Sequence, residues 1–304
     1  MAEQNEIERI IAKKTLAKNT MRTYRTSYKK LLEILATDKV ADIEQTEIIE
    51  LVGDEENYGS QNLLLTIAMM IKGDNDMNFS KINKHREIVR DEMKKNKWKV
   101  KDEKKEELPT VASLQKHLNL MYATDNYRAY IINFILINFN TRNLDLDLIV
   151  TDSISEYRQA GAKGDENAIL AGKNSTTYYH RNNYKTARTY GAKTNKISNV
   201  KFSRALRAYI QQHAMTTMET HGEFNRNPAY LLALENGDRI ARDSISHYIT
   251  KYTYDGLTES DYNKIIVTEK IKSMDDYSKL KKISYNRGTA VETLIEEYNL
   301  DVKV

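Results

Sequence analysis

The chain has no cysteine among its 304 residues. That absence removes disulfide staples, thiolate zinc sites, iron–sulfur clusters and a thiol nucleophile together. Proline is almost missing, at 2 residues, where average usage near 5% would give roughly fifteen. Little then interrupts helices, and a mostly helical fold is expected. Phe (5) and Trp (1) are scarce beside 20 Tyr, so most rings carry a polar tip suited to half-wet surfaces or to bases. No apolar run approaches the roughly 18 residues that a membrane span needs. The opening MAEQNEIERIIAKK carries charge where a secretory leader would be apolar. The expectation is a soluble, intracellular protein of the cytoplasm or nucleus of a host cell, without membrane contact. The histidines at 85, 117, 180, 213, 221 and 247 have no HExxH or other ligand spacing, so no metal is expected. AGKNST around Lys173 lacks both the first glycine of a phosphate loop and the Ser or Thr after its lysine.

What is present is helical periodicity. Met21, Tyr24, Tyr28, Leu31, Leu32 and Leu35 form one stripe, with Asn19 or Thr20 as the N-cap. QNLLLTIAMMIKG, after Gly59-Ser60, is apolar nearly all round and reads as a buried central helix. Ser80 can cap KINKHREIVRDEMKKNKWK. A small helical bundle is expected over 1–93. KKNKWKVKDEKKEELP (94–109) has no apolar period and ends in proline, so it reads as a charged linker. A second domain is expected over 110–304. Thr110 caps its first helix, NYRAYIINFILINFN is a second, and TRNLDLDLIV a third. From 167 to 202 β-formers alternate with polar and turn residues, which predicts two or three antiparallel strands. Helices return at SRALRAYIQQHAM, at SISHYITKY behind Asp243, and through KLKKISYNRGTAVETLIEEYN. The fold class is mainly α with a small antiparallel sheet, an α+β arrangement.

The net charge of +4 hides an asymmetry. No acidic residue falls between Glu166 and Glu219, and that stretch holds Lys173, Arg181, Lys185, Arg188, Lys193, Lys196, Lys201, Arg204 and Arg207. With these nine set aside, the rest of the chain carries −5. Tyr178, Tyr179, Tyr184, Tyr190 and Tyr209 are interleaved with the bases. A basic hairpin with aromatics suits a phosphate backbone, because each neutralised phosphate releases condensed counterions. Double-stranded DNA is the expected partner. Arg181, Arg188, Lys193, Lys196, Lys201, Arg204 and Arg207, with Tyr184 and Tyr190, are the candidate contacts.

The order of these elements resembles the tyrosine recombinase (phage integrase) family. Its first motif is T-G-L-R-x-x-E-L-x-x-L; NFNTRNLDLDLIVTD places Arg142 at the arginine, with Asp145, Leu146 and Ile149 at the following positions. A hairpin lysine is the second landmark, and NNYKTARTYG supplies Lys185. Such Y-K-T…Y-G hairpins are similar to those of recombinase-related proteins of large DNA viruses. In place of the third, H-x-x-R, stand Ser284 and Arg287. The resemblance implies a core-binding, SAM-like N-terminal domain and a recombinase-like C-terminal one. It implies two arginines clamping the scissile phosphate, a lysine as general acid and an attacking tyrosine, with no cofactor. This chain departs from the family at Ser284, which is no imidazole, and in lacking the later L-G-H segment. Tyr298 is the remaining nucleophile candidate, eleven residues past Arg287 and on the apolar stripe of the same helix. Three readings follow. The first is a DNA-binding protein of this fold without strand transfer, in DNA architecture, packaging or a virion. The second is an active breaking–rejoining enzyme of integrase or type IB topoisomerase kind. The third is a capsid-associated structural protein, with a homo-oligomer or viral protein assembly as partner.

Overall fold

The computed structural model describes residues 5–163, 166–172, 176–221, 229–272 and 277–301. The chain divides into two compact units, Met1–Lys104 and Lys105–Val304.

The first unit contains α1 (Glu6–Ala12), α2 (Lys18–Ile34), α3 (Gln45–Gly53), α4 (Tyr58–Asp74) and most of α5 (Ser80–Glu107). Asn5 and Asn57 cap α1 and α4 by accepting the amides of Ile7 and Ser60. Leu64, Leu65, Ile67, Ala68 and Ile71 of α4 are fully buried, as its all-round apolar sequence requires. Asn19 and Thr20 lie inside the first turn of α2 instead of capping it, and Ala17 holds the cap position. Of the stretch expected as a linker, 94–109, the residues up to Glu107 belong to helix α5, and the boundary between the units falls within it. Neither Gly nor Pro occurs between 80 and 108, and acid–base pairs such as Glu92–Lys95 at 2.6 Å support the helix from its surface. Pro109 then ends it.

The second unit opens with α6 (Val111–Ala123) and α7 (Tyr127–Phe139). Thr110 accepts the Ser113 amide at 3.1 Å, and Asn126 accepts that of Ala129. Residues 129–136 of α7 are buried on every face, at the centre of the core. The segment 141–150, expected as helix, holds a short 3₁₀ turn (Asn143–Leu146) and the start of strand β1 (Leu148–Thr151). Its Leu-Ile-Val run is only one strand long, and β-branched residues favour the pleated state. Helix α8 (Ile154–Lys163) connects β1 to the parallel strand β2 (Asn167–Ala171). β3 (Thr176–Arg181), the short helix α9 (Ala187–Tyr190) and β4 (Lys193–Ser198) follow. The pairs β2–β3 and β3–β4 are antiparallel, as expected. The parallel β1–β2 pair makes the sheet mixed, and β5 (Ala229–Tyr230) extends it to the order β4-β3-β2-β1-β5.

Helix α10 (Val200–His221) packs on the sheet, and α11 (Ile245–Thr250), α12 (Glu259–Lys272), α13 (Tyr277–Arg287) and α14 (Val291–Tyr298) complete the unit. Asp243 sits in a 3₁₀ turn before α11 and does not cap it. The expected single C-terminal helix is broken at Gly288, whose φ is +63°. The Thr289 amide donates to Ser284 O at 3.1 Å and the Gly288 amide to Tyr285 O at 3.2 Å. This is a glycine-terminated helix end of the Schellman type. Tyr298 therefore lies on a separate helix from Arg287.

Candidate functional site

The turn that ends α13 is where the candidate residues meet. A helix C-terminus leaves unpaired carbonyls and carries partial negative charge. Here each of the last carbonyls is answered from a different part of the chain. Lys193, the first residue of β4, donates its Nζ to Tyr285 O. Arg181, the last of β3, donates Nη1 to Asn286 O at 2.8 Å. Arg142, before the 3₁₀ turn, donates Nη1 to Arg287 O at 2.7 Å. Thr186 Oγ1 donates to Gly288 O at 2.8 Å. Gly288 is in close contact with this set: a Cβ there would overlap Thr186 Oγ1 and stand 3.4 Å from Lys193 Nζ.

Each cation has its own surroundings. Arg181 is fully buried, its guanidinium 3.2 Å from Asp145 Oδ2 and 5.2 Å from the Tyr179 ring centroid. Burial pushes the Asp145 carboxyl up and the Arg181 charge draws it back. Lys193, 2% exposed, lies over the rings of Tyr184, Tyr190 and Tyr285 at 4.7, 5.1 and 4.6 Å. Burial first, then the Arg181 charge, pushes its ammonium down to about 8. Arg142 is half-buried, and burial followed by the neighbouring Arg287 charge lowers its guanidinium.

Arg287 is 3% exposed and its two terminal nitrogens are fully engaged. Nη1 donates to Asn140 O and Thr141 O, each at 3.3 Å. Nη2 lies 2.6 Å from Glu259 Oε1 and donates to the Tyr298 hydroxyl at 2.5 Å. Its guanidinium carbon stands 4.4 Å from the Tyr298 ring centroid. That ring also packs on the small cluster of Val267, Ile283 and Leu294.

Of the residues expected by sequence, Arg142, Arg287 and Tyr298 therefore come together. Ser284 is half-buried and donates to Thr289 O at 2.5 Å, inside the turn. Lys185 is exposed on the turn after β3. Three expected DNA contacts are internal: Arg181, Lys193 and Tyr184, whose hydroxyl donates to Gly191 O at 2.6 Å. Arg181 and Lys193 stand at strand ends facing the α13 carbonyls, and Tyr184 folds back on the turn before β4. Arg207 is half-buried and bonded to Gly172 O. Arg188, Lys196, Lys201, Arg204 and Tyr190 are exposed, while Lys173 lies outside the described residues. Glu259, Thr186 and Gly288 were not singled out by sequence reasoning. The glycine directly after Arg287 is the one signal that could have marked the helix end.

No protein-family model matches the sequence, and no curated protein matches it. Among solved structures, the crystal structure of XerA recombinase is similar over 98% of this chain and 93% of that chain. The TM-score is 0.40 and the identity 12%.

Proposed function

We propose that this chain is a recombinase-like protein that binds duplex DNA in an architectural or packaging role, without strand transfer. The binding half of the reading rests on Lys185, Arg188, Lys196, Lys201 and Arg204. All five are exposed, and none of their side chains forms an ion pair or hydrogen bond among the described residues, although Lys201 lies over the Tyr122 ring. They fall within a stretch that has no carboxylate to neutralise them. Unpaired cations of one sign raise the local potential and attract a polyanion.

The other half rests on how the two arginines are used. The Arg287 fork that would grip a phosphate is already committed to protein oxygens, two carbonyls, Glu259 and Tyr298, and Arg142 spends Nη1 on the Arg287 carbonyl. A carboxylate on an arginine resembles a phosphate in charge and geometry, so Glu259 fills the seat. One observation favours the active alternative, the Tyr298 hydroxyl at 2.5 Å from Arg287 Nη2. If active, the tyrosine oxygen would bond to phosphorus while the bond to the 5′ oxygen breaks and that oxygen takes up a proton.

Salt-dependent binding is the test. With five phosphates neutralised, log affinity for duplex DNA should fall against log salt with a slope of about −4 to −5. The Arg188→Glu, Lys196→Glu double variant should flatten that slope. Undetectable or salt-independent binding overturns the reading. A covalent adduct on a nicked trapping duplex, lost in Tyr298→Phe, would replace it with the enzymatic one.

A further inference from the structure

A groove of about 480 Å³ lies between α8 and the sheet face formed by β3 and β4, apart from the arginine cluster. Its origin is the alternation of β3. Tyr179 and Arg181 point into the protein, so Tyr178 and His180 stand on the opposite, outer face. Helix α8 covers only part of that face. It carries glycine at 161, whose missing side chain would otherwise come within 3.5 Å of His180 Nε2. The gap that remains is floored by Leu170 and walled by Tyr157, Tyr178 and His180, with Ile154 and Arg158 along α8.

Three features give the groove a chemistry. Its walls are aromatic: Tyr178 is 36% exposed, and Tyr157 meets His180 edge to face at 6.1 Å. The His180 nitrogens are held by Thr194 Oγ1 at 2.7 Å and Asn182 Oδ1 at 3.0 Å, so the ring is fixed as a wall. Its rim is cationic. Arg158 is exposed, and Lys196 is the cross-strand partner of Tyr178 and exposed beside it. Neither side chain forms an ion pair or hydrogen bond among the described residues. No carboxylate is among the described lining residues. A flat aromatic ring bearing an adjacent negative charge fits this set, whereas a neutral aliphatic or a cationic group would leave the charges unanswered.

We propose that the groove takes one unpaired nucleotide of a DNA strand, its base against Tyr178 and Tyr157 and its phosphate at the Arg158–Lys196 rim. Base–aromatic stacking with a basic edge is the usual way to hold a base without reading its sequence. The inference rests on the proposed DNA binding and extends it from a duplex backbone to a splayed base.

The experiment is an anisotropy titration with labelled oligothymidylate and with a duplex of equal length. It compares the unmodified chain, Tyr178→Ala and Tyr178→Phe. Losing one stacked base should weaken single-strand binding about tenfold in Tyr178→Ala and leave duplex affinity within about twofold, with Tyr178→Phe restoring single-strand binding. An unchanged single-strand affinity in Tyr178→Ala, or an equal loss for both DNAs, overturns the groove. Duplex binding without single-strand binding removes the groove and leaves the proposed function standing. Single-strand binding alone does the reverse, and binding of neither removes both. Thymidine monophosphate binding as tightly as the oligonucleotide, and through Tyr178, would assign the groove to a free nucleotide and overturn it as a strand site.

Discussion

Arg181 and Arg188 are seven residues apart in one carboxylate-free stretch, yet they belong to two different kinds of chemistry. The inward-facing set, buried Arg181 and Lys193 with half-buried Arg142 and buried Arg287 from outside the stretch, faces carbonyls, carboxylates and rings of this chain. The exposed set, Lys185, Arg188, Lys196, Lys201 and Arg204, has no ion-pair partner among the described residues. Charge counted along the sequence merges the two. Solvent exposure separates them, and only the second set is free for a polyanion. A buried cation is strong because its alternatives are poor, while an exposed one costs little to leave unpaired.

The sharpest test of this contrast is Arg181→Met. It leaves Asp145 charged or protonated in an apolar site and Asn286 O without its donor. The expected loss is about 3–5 kcal/mol of unfolding free energy, read by chemical denaturation. A loss below about 1 kcal/mol would mean that the pair is no more important than a surface bridge. Gly288→Ala follows. A side chain at φ +63° and an overlap with Thr186 should together cost about 1–3 kcal/mol.

Lys193 tests the contrast through pH. Its folded value of about 8 lies below the unfolded lysine value of about 10.4. Below pH 8 the amine is charged in both states, and its burial penalty is fully present. Between the two values the folded chain releases the proton while the unfolded chain retains it, so stability rises with pH. Above both, the contribution levels off. Unfolding free energies at pH 7.5 and 9.5 should therefore rise by about 1–2 kcal/mol more in the unmodified chain than in Lys193→Met. The smallest effect belongs to the exposed set: Arg188→Ala should change stability by less than about 0.5 kcal/mol. The same substitution should reduce the DNA salt slope by about one.

Much of this fold was legible because its signals are local. The cap at Thr110 and the apolar stripes follow from neighbouring residues alone, whereas the caps expected at Asn19 or Thr20 and at Asp243 are not formed. Strand β1 was not legible, because a four-residue apolar run has no period of its own and β5 contributes only two residues. The meeting of Arg142 with Arg287 followed the order of the motifs. The hairpin lysine was placed at Lys185 and Lys193 among the DNA contacts, yet it is Lys193 that reaches the end of α13. What separates them is that Lys193 starts a strand whose end lies against α13, while Lys185 sits on a turn facing water. The split between Arg287 and Tyr298 was marked by Gly288. Its force was masked by apolar residues that continue at helical spacing on both sides.

The end of α13 has a consequence for how substitutions should be tolerated. Its carbonyls belong to the backbone, so the side chains that carry them are not what the caps recognise. Tyr285 is 52% exposed, and another aromatic there would present the same oxygen and the same ring to Lys193. The identity of this helix end is stored at positions 142, 181, 186 and 193, up to 145 residues away in the chain. Within α13 the exposed positions such as Tyr285 can drift, Ile283 and Arg287 being held by their own contacts; at positions 142 and 181 a change leaves the Arg287 and Asn286 carbonyls without their donors.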